Sequence, residues 1–204
     1  MGALYGAGLL RGGQKPATPL VALPATLTPA PTPIPSEWVS PNGEREHEYV
    51  KYEGGYIAGA LGHPVELFNN REATNPSWLE PKDFLEKDKT DQHDYSRSSF
   101  VCADFAETLH NNAEKAGIRA AYVVVKLQGN PDFGDTIHVL DAFNTTDEGL
   151  VFIDDTKPDV QGSYLDYANT RVVVKVGWQY VPQPIFPCGF SSWERMGLIT
   201  DIYI

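Results

Sequence analysis

The chain has 204 residues, a formal net charge of −11, 42% hydrophobic residues and 21% charged ones. That balance excludes a disordered or fibrous protein, and the length allows one domain with a real core plus a tail. An acidic chain with no Lys/Arg cluster is not built for phosphate backbones, so nucleic acid is excluded as a partner. The acidity serves solubility and names no substrate.

In chain order, residues 1–10 (MGALYGAGLL) are small and apolar. The run is too short to span a bilayer and lacks the basic start of a signal peptide. It reads as the trailing edge of a membrane anchor. The stretch that follows carries Pro16, Pro19, Pro24, Pro29, Pro31, Pro33, Pro35 and Pro41, which interrupt any regular element. Such a segment is extended and polyproline-like, without a core of its own. Residues 1–43 are therefore expected to be a Pro/Thr-rich linker or membrane-proximal remnant, and residues 44–204 the folded domain. A spacer of this kind holds a domain off a cell surface, which predicts an extracytoplasmic or surface location with a tether upstream. The other reading is a tail with no spatial role.

Within the domain, the glycines Gly54, Gly55, Gly59 and Gly62 leave residues 49–70 without an assignment. Residues 76–87 (PSWLEPKDFLEK) predict a short helix, with Pro81 in its first turn and Trp78, Leu79, Phe84 and Leu85 as apolar positions. Residues 102–116 predict a longer helix. Phe105, Leu109 and Ala116, supported by Ala106 and Ala113, form its apolar stripe, while Asp104, Glu107, Asn111 and Glu114 are expected to face outward. Gly117 suits the position just past the helix end. The period then changes to two: 120–127, 135–143, 150–155 and 170–178 read as strands rich in β-branched and aromatic residues. The predicted class is α+β, helices first and an antiparallel sheet packed on them.

Chemistry concentrates on Cys102, at the point where a polar loop becomes a helix. The N–H groups and dipole at a helix N-terminus favour a thiolate over a thiol. His138 and Asp154 follow on two strands joined by the turn 145–149. A hairpin centred near residue 146 would oppose His138 to Asp154, Leu140 to Phe152 and Ala142 to Leu150. Opposed residues share a face, so imidazole and carboxylate would point the same way, toward the Cys102 helix. Asp141 would point to the other face, as would Asp155 unless the register slips by one. Cys, His and Asp in this order are the minimum set for thiolate acyl transfer. Cys102 would be the nucleophile, His138 the proton shuttle and Asp154 the group that orients the ring. One oxyanion donor would be the Cys102 backbone N–H; Tyr95, Gln92 or a nearby backbone N–H is the candidate for the second.

The stretches YSRSSFVCADFAETLHNNAEKAGIRAAYVVV, HVLDAF and GLVFIDDT together resemble the transglutaminase-like domain, a fold distantly related to papain-type peptidases. The likeness covers about residues 78–156. It implies the same three roles for Cys102, His138 and Asp154, with IDDT resembling the family's strand-end Asp-x-Thr. Two departures stand out: Leu140 replaces a Trp common after the histidine, and Val101 or Phe100 replaces one beside the cysteine. Nothing matches the calcium sites of animal transglutaminases, so neither metal nor cofactor is expected. The resemblance implies a peptide or protein substrate, with hydrolysis favoured over amine cross-linking because no amine site can be located.

Other readings stand beside this one. The chain has two cysteines and no CxxC pair, which excludes a zinc ribbon, and Cys102 could instead be bridged to Cys188. DQHDY (91–95) has a metal-like composition, and a metal-dependent hydrolase would use His93 and His138. A non-catalytic transglutaminase-like binding domain of the cell envelope is the rival outside enzyme chemistry.

Overall fold

The computed structural model describes residues 46–130, 134–156, 169–186 and 196–204; the predicted linker and Cys188 lie outside these. The architecture is α+β, but strands come first. β1 (Glu46–Tyr49) pairs antiparallel with β4 (Glu66–Asn69), and β2 (Lys51–Tyr52) with β3 (Gly55–Tyr56), in the stretch the glycines left unassigned. Two helices follow, α1 (Leu79–Leu85) and α2 (Cys102–Lys115), separated by a 3-10 turn at Thr90–Gln92. The remaining strands are β5 (Ala121–Asn130), β6 (Gly134–Thr145), β7 (Gly149–Asp154), β8 (Thr170–Val172), β9 (Pro182–Pro184) and β10 (Leu198–Tyr203). They form one antiparallel sheet in the order β10-β5-β6-β7-β8-β9.

Alternation along the strands divides the core in two. On one face, Tyr122, Val124 and Val139 pack with Ala103 and Ala106 of α2, and Phe143, Val151 and Ile153 pack with Leu85, Leu109 and Ala113. On the other, Val123, Val125, Leu127, Leu140 and Ala142 surround Tyr180 and Ile199. Burying each of the larger side chains contributes about 1.5–3 kcal/mol of transfer free energy. The second face is enclosed because the connection between β8 and β9 crosses to the far edge of the sheet. There Ile199 N–H donates to the Trp178 carbonyl (2.8 Å), and Tyr180 N–H to the Gly197 carbonyl (2.8 Å). The predicted strand 170–178 accordingly stops at Val172, where the chain leaves the ladder to make this crossing.

The helix 102–116 forms nearly as expected: α2 ends at Lys115, and Gly117 follows with a φ of 85°, a left-handed value that glycine adopts without a Cβ penalty. Its polar side is not turned to water, contrary to the sequence reading. Asp104 Oδ2 accepts from Ala60 N–H (2.9 Å), Glu107 Oε1 from Glu66 N–H (2.9 Å), Asn111 Oδ1 from Phe68 N–H (2.7 Å) and Glu114 Oε2 from Asn70 N–H (2.8 Å). The stripe thus satisfies backbone donors of β4 and of the loops on either side of it, which would otherwise be costly to cover. The short helix also differs in detail: Leu85 and Pro81 are buried, whereas Leu79 is 63% exposed.

Candidate active site

The site begins at the tip of α2. Val101 is in extended conformation, and its N–H donates to Asp104 Oδ2 (2.8 Å), so the fourth residue's carboxylate caps the helix and fixes where Cys102 starts it. Gly59 lets this carboxylate approach: a Cβ there would lie 1.9 Å from Asp104 Oδ1. Cys102 is a free thiol of intermediate exposure. Gln92 ends the 3-10 turn and Tyr95 precedes the Ser96–Phe100 bridge, so both candidate oxyanion donors belong to the segment leading into the helix.

The hairpin register differs from the expected one. Asp141 pairs with Ile153, Ala142 with Phe152 and Asn144 with Leu150, so the centre lies at residue 147 and not 146. Thr145 sets this turn: its hydroxyl donates to the Gly149 carbonyl (2.7 Å) and accepts from Glu148 N–H (3.0 Å). His138 is therefore not opposite Asp154 but two positions out of step. An even displacement leaves both residues on one face. The diagonal offset is short enough for contact, and His138 Nε2 meets Asp154 Oδ2 at 2.8 Å.

A second expectation also changes. His138 shares its face with Leu140 and Tyr180, whereas the body of α2 packs on the opposite face, against Tyr122, Val124 and Val139. The sulfur and the ring meet at the helix tip, beyond the last β6–β7 pair. The Cys102 thiol is within reach of the His138 ring, and its hydrogen bonding and its charge both favour the imidazolium. Nε2 is held by Asp154, leaving Nδ1 as the second ring nitrogen.

Asp154 is 4% exposed and fully partnered. Oδ2 accepts from His138 and from the Tyr180 hydroxyl (2.7 Å), and Oδ1 accepts from Thr156 N–H (3.0 Å). The Thr170 hydroxyl donates to its backbone carbonyl (2.8 Å). Burial alone would raise this carboxyl, but the His138 charge, with the hydrogen bonds from His138, Tyr180 and Thr156, holds it below the usual carboxylate range. Burial works against a charged His138 most strongly, yet Asp154 and Cys102 lift it to about 10. At neutral pH the pair is imidazolium and carboxylate.

On the opposite face, Asp155 and Asp141 are 1% and 0% exposed. Among the described residues, no hydrogen-bond partner meets either oxygen of Asp141 or Asp155 Oδ2. Burial first, then the neighbouring carboxylates, pushes both well above the ordinary carboxylate range. His93 of DQHDY stacks on Phe100 with ring centroids 4.4 Å apart. Among the described residues no group of three or more His, Cys, Asp or Glu is placed to hold a metal ion.

Sequence reasoning did not single out Tyr180. It lies 26 residues beyond Asp154 in GWQYVP, where no alternation marks which side chain turns inward. Comparison with protein-family models, curated proteins and solved structures finds no match to this chain.

Proposed function

We propose that the chain is a thiol-dependent acyl-transfer enzyme of transglutaminase-like type, acting on amide or peptide bonds. One observation carries the reading: a buried His138–Asp154 pair at 2.8 Å with the Cys102 thiol within reach of the same ring, at a helix N-terminus. An imidazolium beside a sulfur stabilises the thiolate, and a helix tip adds to this. In the first half-reaction the sulfur attacks the substrate carbonyl carbon and a C–S bond forms. The C–N bond then breaks, and the leaving amine takes the proton from His138. In the second, His138 removes a proton from water as the water oxygen attacks the thioester; the C–S bond breaks with return of the thiolate, and the proton stays on His138, which restores the starting pair. Asp154 keeps the ring oriented and charged through the first half.

Hydrolysis is favoured over amine transfer, since water is always at hand and no amine site is identified. The papain-related fold assignment belongs to the same proposal and is supported by the order helix-tip Cys, strand His, next-strand Asp. A location outside the cytoplasm rests on the Pro/Thr-rich stretch alone. The test is turnover of peptide and glutamine substrates by Cys102→Ala against the parent. Loss of turnover in the variant supports the proposal; equal turnover ends it and leaves the non-catalytic binding domain.

A further inference from the structure

We infer that Tyr180 is a positioning residue of this site, sharing one oxygen of Asp154 with His138 and so setting how firmly that carboxylate holds the imidazolium. The inference rests on the acyl-transfer reading above and adds to it a residue that lies outside the Cys-His-Asp set.

The geometry is specific. Tyr180 is fully buried, and its hydroxyl donates to Asp154 Oδ2 at 2.7 Å, the same oxygen that takes His138 Nε2 at 2.8 Å. Its ring meets the His138 ring edge-on, with centroids 5.3 Å apart and planes at 80°. Tyr180 therefore touches both members of the pair: the hydroxyl fixes the carboxylate and the ring packs on the imidazole. Burial and the Asp154 charge hold the phenol well above its ordinary value, so it remains an O–H donor across the working pH range. A donor to a carboxylate stabilises the anion and withdraws charge from it. With Tyr180 in place, Asp154 stays ionised to lower pH and does not take the proton from His138. The backbone that delivers Tyr180 is anchored from the far sheet edge, through Tyr180 N–H to Gly197 and Met196 N–H to the Tyr180 carbonyl (3.0 Å).

The same sheet supplies an internal control. Tyr122 is also buried, at 4% exposure, but its hydroxyl has no hydrogen-bond partner among the described residues. Tyr180→Phe and Tyr122→Phe each remove one buried hydroxyl, and only the first should alter the pair. Two readouts apply to the full chain: NMR titration of the His138 ring, and the pH profile of Cys102 alkylation by iodoacetamide, with the labelled peptide identified by mass. In Tyr180→Phe the low-pH inflection of the His138 signal, which reports protonation of Asp154, should rise by about one pH unit. The acid limb of alkylation should rise with it, while the His138 inflection in Tyr122→Phe tracks the parent; Tyr122 lies near Cys102, so it serves as the control for the ring titration alone. Should Tyr180→Phe fail to fold, a fluorinated tyrosine at position 180, a stronger O–H donor, should move the inflection down. An inflection unmoved by either change overturns the role of Tyr180 and leaves the triad intact. Alkylation of the parent that is indifferent to His138→Ala overturns the triad reading, and the role of Tyr180 with it.

Discussion

Asp154 and Asp155 are adjacent, chemically identical and equally buried, yet they sit in opposite electrostatic worlds. On the His138 face of the sheet, Asp154 receives three side-chain or backbone donors and is held ionised. On the face toward α1 and α2, Asp155 lies among Asp141, Asp88 and Asp91, and burial together with these carboxylates pushes it well above the ordinary range. One step along a strand reverses the side-chain direction, and the supply of donors on each face then decides the charge. A buried carboxylate is stable as an anion only where hydrogen bonds and an opposite charge replace the water it has lost.

The sharpest way to break this comparison is the same substitution at both positions. Asp154→Asn keeps the size but removes the charge that holds His138 as imidazolium, so turnover dependent on Cys102 should fall by about 10³-fold. Asp155→Asn should leave kcat/KM within about twofold of the parent, since that side chain points to the face away from His138. Comparable losses from both would show that the two faces are not electrostatically distinct.

The second effect is on stability against pH. Raised from 6.5 to about 10, His138 contributes stability that is complete below 6.5 and is lost as pH climbs through 10. Lowered from 3.8, Asp154 contributes stability that is complete above 3.8 and is lost as pH falls through its folded value. The gap in Tm between the parent and Asp154→Asn should therefore be widest from about pH 4 to 6.5 and narrow on either side. A gap independent of pH would refute the ion pair.

Gly59→Ala tests another partnered carboxylate, Asp104, whose cap positions Cys102. A Cβ 1.9 Å from Oδ1 must displace it and release the Val101 and Ala60 N–H groups. We expect a loss of about 2 kcal/mol in denaturant unfolding, together with slower Cys102 alkylation. An unchanged midpoint would show that the cap is dispensable.

The smallest effect is again at Asp155. A carboxyl raised above its unfolded value contributes stability below the ordinary carboxylate range and loses it as pH rises. Asp155→Asn abolishes that loss, so at pH 8 it should raise Tm by on the order of a few degrees and give no such gain at pH 3. A drop in Tm at pH 8 would mean that Asp155 is ionised and satisfied after all.

Much of this was legible in the amino acids. The apolar stripe of α2, Gly117 at its end and the change to period two gave the helix and the β6–β7 hairpin within a few residues. That His138 and Asp154 share a face survived a register error, because the true pairing differs by two positions and only an odd slip exchanges faces. The error arose at Thr145, whose hydroxyl organises the turn through contacts that composition does not reveal. The outward assignment of Asp104, Glu107, Asn111 and Glu114 failed for a related reason. Polarity on a helix stripe signals a need for hydrogen bonds, and it cannot say whether water or a strand 40 or so residues earlier supplies them.

The sequence by itself determined the local periods, the helix tip that presents Cys102 and the parity that puts one acid beside His138 and its neighbour behind it. Those follow from backbone geometry, which repeats every 3.6 or 2 residues whatever the rest of the chain does. Only the tertiary structure decided that α2 meets His138 from its tip, that Tyr180 returns across the sheet to Asp154, and that Asp155 Oδ2 is left without a donor among the described residues. These depend on which distant groups replace water around a buried charge, and that is fixed by how the elements pack together.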